Sequence, residues 1–145
     1  MQITPLTIEE AANNNFTHKI VLTYADIVTL TSGTGASVYP GFNETNTFPA
    51  GTYITDAAAT VVTAFTGGTG TLAMTLGDGT TANKFLASLS LTATGFFGFN
   101  STSPEMFNAA GQIVATVTAG TSILGWTAGE VHIYLNIANI PVLDT

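Results

Sequence analysis

The stretch from Glu130 to Ile137 reads EVHIYLNI: Val131, Ile133, Leu135 and Ile137 alternate with Glu130, His132, Tyr134 and Asn136. A period of two places every second side chain on one face of an extended chain, so this segment predicts a strand with one face in a core. The same test finds three more. Leu72, Met74 and Leu76 alternate with Thr71, Ala73 and Thr75, and Ala87, Leu89, Leu91 and Ala93 with Ser88, Ser90 and Thr92. Ile113, Ala115 and Val117 alternate with Gln112, Val114, Thr116 and Thr118.

Between His18 and Thr31 the chain is rich in β-branched residues, but the phase slips at Ala25-Asp26, as a bulge or two consecutive strands would make it do. Tyr53–Thr55 and Thr60–Phe65 complete the set of strands. Turn signals separate them: TSGTG at 31–35, Pro40-Gly41, Pro49-Ala50-Gly51, GGTG at 67–70 and Thr94-Gly95. Helix has little room. Ser103-Pro104 can open one short turn through Phe107, and Thr7 with Glu10 fits a capping box for another. The pattern predicts an all-β fold, an antiparallel β-sandwich of jelly-roll type, with seven or eight strands and at most one or two short helical turns. Residues 18–145 are expected to form this single domain, with 1–17 as an N-terminal arm or short helix.

Composition narrows what such a fold can do. Lys19 and Lys84 are the only basic residues, there is no arginine, and nine acids leave a net charge of −7. Nucleic acids and other phosphate ligands are bound largely through Arg and Lys, so neither is an expected partner. No run approaches the ~20 apolar residues of a membrane-spanning helix, so no membrane is expected either. The first residues carry neither a basic leader nor an apolar core of a secretory signal, and the chain is expected to act where it is made or to leave by lysis. Cysteine is absent, which excludes disulfides, thiolate metal sites and a cysteine nucleophile. Only 8% of residues are charged, against a usual ~25%. A surface so poor in charge points to burial against other copies or a larger assembly.

Few residues are candidates for chemistry. The loop GDGTTANK at 77–84 gathers Asp78, Asn83 and Lys84, but one acid is too few for a calcium loop, and no second Gly precedes the Lys as a P-loop requires. It reads as a polar turn. His18 and His132 are the only imidazoles, too few for a zinc site without a carboxylate brought close by the fold. No GxSxG elbow is present. Glu44, Asp56, Glu105 and Glu130 could serve glycoside cleavage only if two of them faced each other. Asn15, Asn43 and Asn100 match the glycosylation triplet at the frequency chance gives in a chain this rich in Asn, Ser and Thr. No catalytic residue, metal or cofactor is therefore expected, and the chain does not read as an enzyme. Trp126, beside Gly125, and Tyr134 are the residues that could stack on a sugar or lie in an interface.

The succession FPAGT at 48–52, VVTAF at 61–65, LGDGTTANKFLA at 76–87, FNAAGQI at 107–113 and LGWTAGEV at 124–131 resembles a family of small tailed-bacteriophage structural proteins. In that family a PAGT turn, a strand ending in Phe, an LxxGDGTDxDxFL hairpin and a closing TAGEVxVYL strand recur in this order. The similarity spans about residues 20–137. It implies a jelly-roll virion protein that decorates or cements the outer surface of the capsid, made in the host bacterial cytoplasm. It further implies a homo-oligomer, commonly a homotrimer or another cluster, seated at a symmetry axis of the shell, with the major capsid protein as partner. Leu6, Ile8 and Phe16 of the N-terminal segment are then candidate capsid or subunit contacts. Thr81 and Asn83 stand where the family has acids after its GDG turn, so a cation held there by relatives is not expected here. The alternative reading is a carbohydrate-binding adhesin or a tail-associated receptor-binding module.

Overall fold

The computed structural model describes residues 2–5, 16–28, 35–38, 41–42, 48–78, 80–98, 105–107 and 110–139. Their strands are β1 (Gln2–Pro5), β2 (His18–Thr23), β3 (Gly35–Val38), β4 (Gly41–Phe42), β5 (Thr52–Thr66), β6 (Leu72–Gly77), β7 (Leu86–Ser90), β8 (Gly95–Phe97), β9 (Glu105–Met106), β10 (Val114–Ala119) and β11 (Ala128–Asn139). One short helix, α1 (Tyr24–Val28), follows β2. No helix among the described residues is long and apolar enough to cross a membrane.

The broad sheet runs β4-β1-β2-β11-β5-β8, with β9 also on β5, and the narrow sheet runs β3-β10-β6-β7. Without the short β1, β4 and β9, eight strands remain. In chain order the first, eighth, third and sixth form one sheet and the second, seventh, fourth and fifth the other. That interleaving of two Greek keys is the jelly roll the alternation predicts. All described pairings are antiparallel except β1 with β4. Residues 2–5, within the segment expected to form an arm, are a strand on the free side of β2. The helix expected over Thr7–Ala12 lies outside the described residues.

The apolar faces meet between the sheets. Ile20, Leu22, Val131, Ile133 and Leu135 of the broad sheet join Leu72, Met74, Leu76, Leu86 and Val117 of the narrow one in a single cluster. Burying each such side chain contributes about 1.5–3 kcal/mol relative to exposure. No buried side-chain nitrogen or oxygen among the described residues lacks a hydrogen bond. The one buried Thr among the described residues, Thr52, donates its hydroxyl to Pro49 O at 2.8 Å across the PAGT turn.

Four details differ from the sequence reading. Tyr53–Thr55 and Thr60–Phe65 belong to one strand, β5, whose core face changes phase at register shifts opposite Asn136 and Glu130. Alternation measured from either end therefore loses the middle. The slip at Ala25-Asp26 is the helix α1, held by the Asp26 carboxylate, which accepts from Thr23 N at 2.8 Å and Thr23 Oγ1 at 3.0 Å. A side chain three residues into a helix that reaches back to its cap is a capping-box contact. Glu105–Met106, expected in a helical turn, is extended and pairs with Tyr53 and Ile54 of β5. Ala87, expected inward, is exposed because a register shift lets Leu86 and Leu89 both face the core.

Candidate functional site

The loop after β6 is a self-contained turn. Asp78 Oδ1 accepts the amides of Thr80 at 3.0 Å and Thr81 at 2.8 Å, and Oδ2 faces Lys84 Nζ at 3.2 Å. The approach is so close that a Cβ on Gly77 would lie 1.9 Å from Thr81 O. Asp78 is thereby committed to closing the turn. Partial burial opposes its charge, but the Thr81 and Thr80 amides together with Lys84 outweigh this and hold its carboxyl below the usual range.

Asp78→Ala is expected to lower unfolding stability by about 1–2 kcal/mol at neutral pH. Because the folded carboxyl titrates below its unfolded value of 3.8, its contribution is complete above that pH and fades as pH falls through the folded value. Urea titrations in neutral and acidic buffer should show the gap between wild type and variant closing in acid. A gap independent of pH would remove the carboxylate from this account.

The two histidines occupy opposite faces of the broad sheet. His18 shares the parity of Ile20 and Leu22, whereas His132 alternates with the buried Val131 and Ile133. They cannot share a metal, and no group of three metal-ligating side chains occurs among the described residues. Burial lowers the His18 pKa, so its protonation below about 6.5 works against the fold. His132 Nε2 pairs with Glu130 Oε1 along β11.

Of the four acids weighed for glycoside cleavage, Asp56 lies opposite Asn136 and Glu130 opposite Thr63. Six residues of β11 separate the two, ~20 Å at the rise of a strand, where such chemistry needs ~5–9.5 Å. Glu44 and the side chain of Glu105 lie outside the described residues.

Trp126 is not at the surface. It is 4% exposed, lies in the core cluster, and donates Nε1–H to Ser122 O at 3.1 Å. Its ring presses on the backbone at Gly68, where a Cβ would come within 2.5 Å of it. Buried in this way, it offers no open face to a sugar.

Tyr134 is placed differently. It points outward from the centre of the broad sheet, with its ring centroid 5.9 Å from that of Phe16 and 6.4 Å from that of His132. Across β5, Thr60 is paired with Phe96 of β8, and Phe96 is 89% exposed. Phe16, Tyr134, Phe96 and Phe97, with Ala58 and Thr60, line an open cleft of about 260 Å³ that contains no charged side chain. Phe16 and Tyr134, proposed from sequence for separate contacts, thus share one cleft, while Leu6 and Ile8 lie outside the described residues. Phe96 was not singled out from sequence. The signal for it is Phe-Phe after a Thr-Gly turn, where consecutive residues of a strand must face opposite ways.

Compared with protein-family models, with curated proteins and with solved structures, the chain matches none of them.

Proposed function

We propose that the protein is a virion structural protein that decorates or cements the outer surface of a tailed-phage capsid by non-covalent binding. The observation that carries this reading is the charge-free aromatic cleft on the outer face of the broad sheet, in a chain with only 8% charged residues. Phe96, 89% exposed on this cleft, offers an aromatic anchor to a partner. The bacteriophage-like order of turns and strands supports the same reading, as does the jelly roll, an architecture common in capsid and lectin domains.

The mechanism is adhesive and involves no catalysis. Apolar area removed from water contributes about 25 cal/mol per Å² before the cost of association is subtracted. Spread over copies bound to the shell, that contribution fastens neighbouring capsid subunits together. The partners are the major capsid protein and further copies of this chain, a trimer being the form the resemblance implies.

Cosedimentation with phage heads stripped of their decoration tests this. The wild-type chain should saturate the heads at a fixed copy number, and Phe96→Asp should bind more than tenfold more weakly, since a charge placed in a desolvated contact costs over 1.4 kcal/mol. If the wild-type chain ignores heads but binds glycans through Phe16, Phe96 and Tyr134, the carbohydrate-binding alternative replaces this reading.

A further inference from the structure

Phe16, one wall of the aromatic cleft, stands on the face opposite to the one that alternation along β2 assigns it. Leu22 and Ile20 are buried and His18 shares their parity, so an unbroken strand would turn Phe16 inward as well. Its ring lies instead on the outer face, with its centroid 5.9 Å from that of Tyr134. One extra residue accounts for the reversal. His18 is paired with Leu135 of β11, and the N–H of Thr17 also donates to Leu135 O, at 3.1 Å, so two residues of this strand oppose one of its neighbour. That is a β-bulge, which bends the chain and re-aims the side chains beyond it.

The hydroxyl of Thr17 fastens the bulge. Oγ1 accepts the Ile137 N–H at 2.9 Å, and His18 Nδ1, Leu135 O and Ile137 O lie 2.7, 3.3 and 3.4 Å from it. β11 is irregular at this level, since its pairing with β5 shifts register between Asn136 and Ile137. A hydroxyl can accept from Ile137 and donate to a carbonyl at once, which a methyl group in its place cannot do. Thr17 is exposed and does not line the cleft, so it acts there only through Phe16.

We propose that Thr17 is a positioning residue of the cleft: the bulge it forms turns Phe16 onto the outer face of the broad sheet, and its hydroxyl holds that bulge against β11. The consequence for binding rests on the adhesive reading above; the placement of Phe16 does not.

Nuclear Overhauser spectroscopy and cosedimentation with stripped heads test it together. Wild type and Thr17→Ser, which keeps a hydroxyl, should show a cross-peak between the Phe16 and Tyr134 rings. Thr17→Val and Thr17→Ala, which lack one, should lose most of it while the emission of the buried Trp126 stays that of the folded chain. On heads, Thr17→Val should bind about fivefold more weakly and Phe16→Ala about tenfold. In the Phe16→Ala background Thr17→Val should add less than about twofold, because its effect passes through the missing ring. A bulge that served stability alone would cost the same with and without Phe16. That result, or a cross-peak undiminished in Thr17→Val, would overturn the positioning role. A wild-type chain that ignores heads would overturn the decoration reading alone, and the cross-peak then decides the role of Thr17.

Discussion

Trp126→Ala is expected to cost about 3–5 kcal/mol of unfolding stability, a large part of the roughly 5–15 kcal/mol that holds a domain of ordinary size. The indole is 4% exposed within the core cluster, and Ser122 O accepts its ring N–H at 3.1 Å. Truncation removes the packed ring, leaves a hole that the backbone at Gly68 bounds, and takes the donor from Ser122. Far-UV circular dichroism in urea follows the loss without needing tryptophan emission. Trp126→Phe should retain most of the packing and lose the hydrogen bond, at about 1–3 kcal/mol. An alanine variant as stable as wild type would mean that Trp126 is not held in the core. The same burial predicts that sugars added to the folded protein leave tryptophan emission unchanged, whether or not Phe16, Phe96 and Tyr134 bind them.

Gly129→Ala should lose about 3 kcal/mol or more, combining backbone strain with overpacking. Gly129 has φ of 142°, and a Cβ built there falls 2.3 Å from the ring of Phe65, itself buried. It sits between Ala128 and Glu130, where the pairing of β11 with β5 changes register. The Phe65 ring cannot move aside cheaply, because it is packed in the core, and the residue's backbone N–H is held by Leu91 O at 2.8 Å. Gly98→Ala is the control, since a Cβ there meets nothing within 4 Å, and it should change stability by less than about 0.5 kcal/mol. Thermal unfolding of both variants decides the matter. Equal effects would show that the approach of Gly129 to Phe65 does not constrain the fold.

The strands read correctly from sequence are those whose own buried side chains alternate without interruption. β11 keeps a single core face from Val131 to Ile137 and is visible as pure alternation. β5 shifts register at two places along its length, and its Asp56-Ala57-Ala58-Ala59 centre has side chains too small to mark a face. In β7 alternation places Leu89 inward, as the structure has it, but places Ala87 wrongly, because a register shift lets Met74 and Leu76 of β6 take Leu89 and Leu86 as partners. The helix α1 was missed because Thr23 and Asp26, which cap it, sit among β-branched residues that favour strand.

For the candidate site the same division holds. The polar loop at 77–84 was legible as a turn, because Asp, Gly and Thr in close succession satisfy one another locally. Trp126 and Tyr134 were equivalent as candidates in sequence. Tertiary packing separated them, taking Trp126 into the core over Gly68 and leaving Tyr134 outside beside Phe16.

By itself, then, the sequence of this protein determined its all-β class, its turns, the inward faces of its regular strands, and its scarcity of charge. These depend on side-chain alternation, backbone preference and composition, which act over a few residues or over none. The tertiary structure alone decided that Phe16, Phe96 and Tyr134 share a cleft. Those residues are up to 118 positions apart in the chain, and only the order and register of β2, β11, β5 and β8 bring them onto one face. Register between distant strands is set by the whole core at once, since a slip of one residue turns every inward side chain outward.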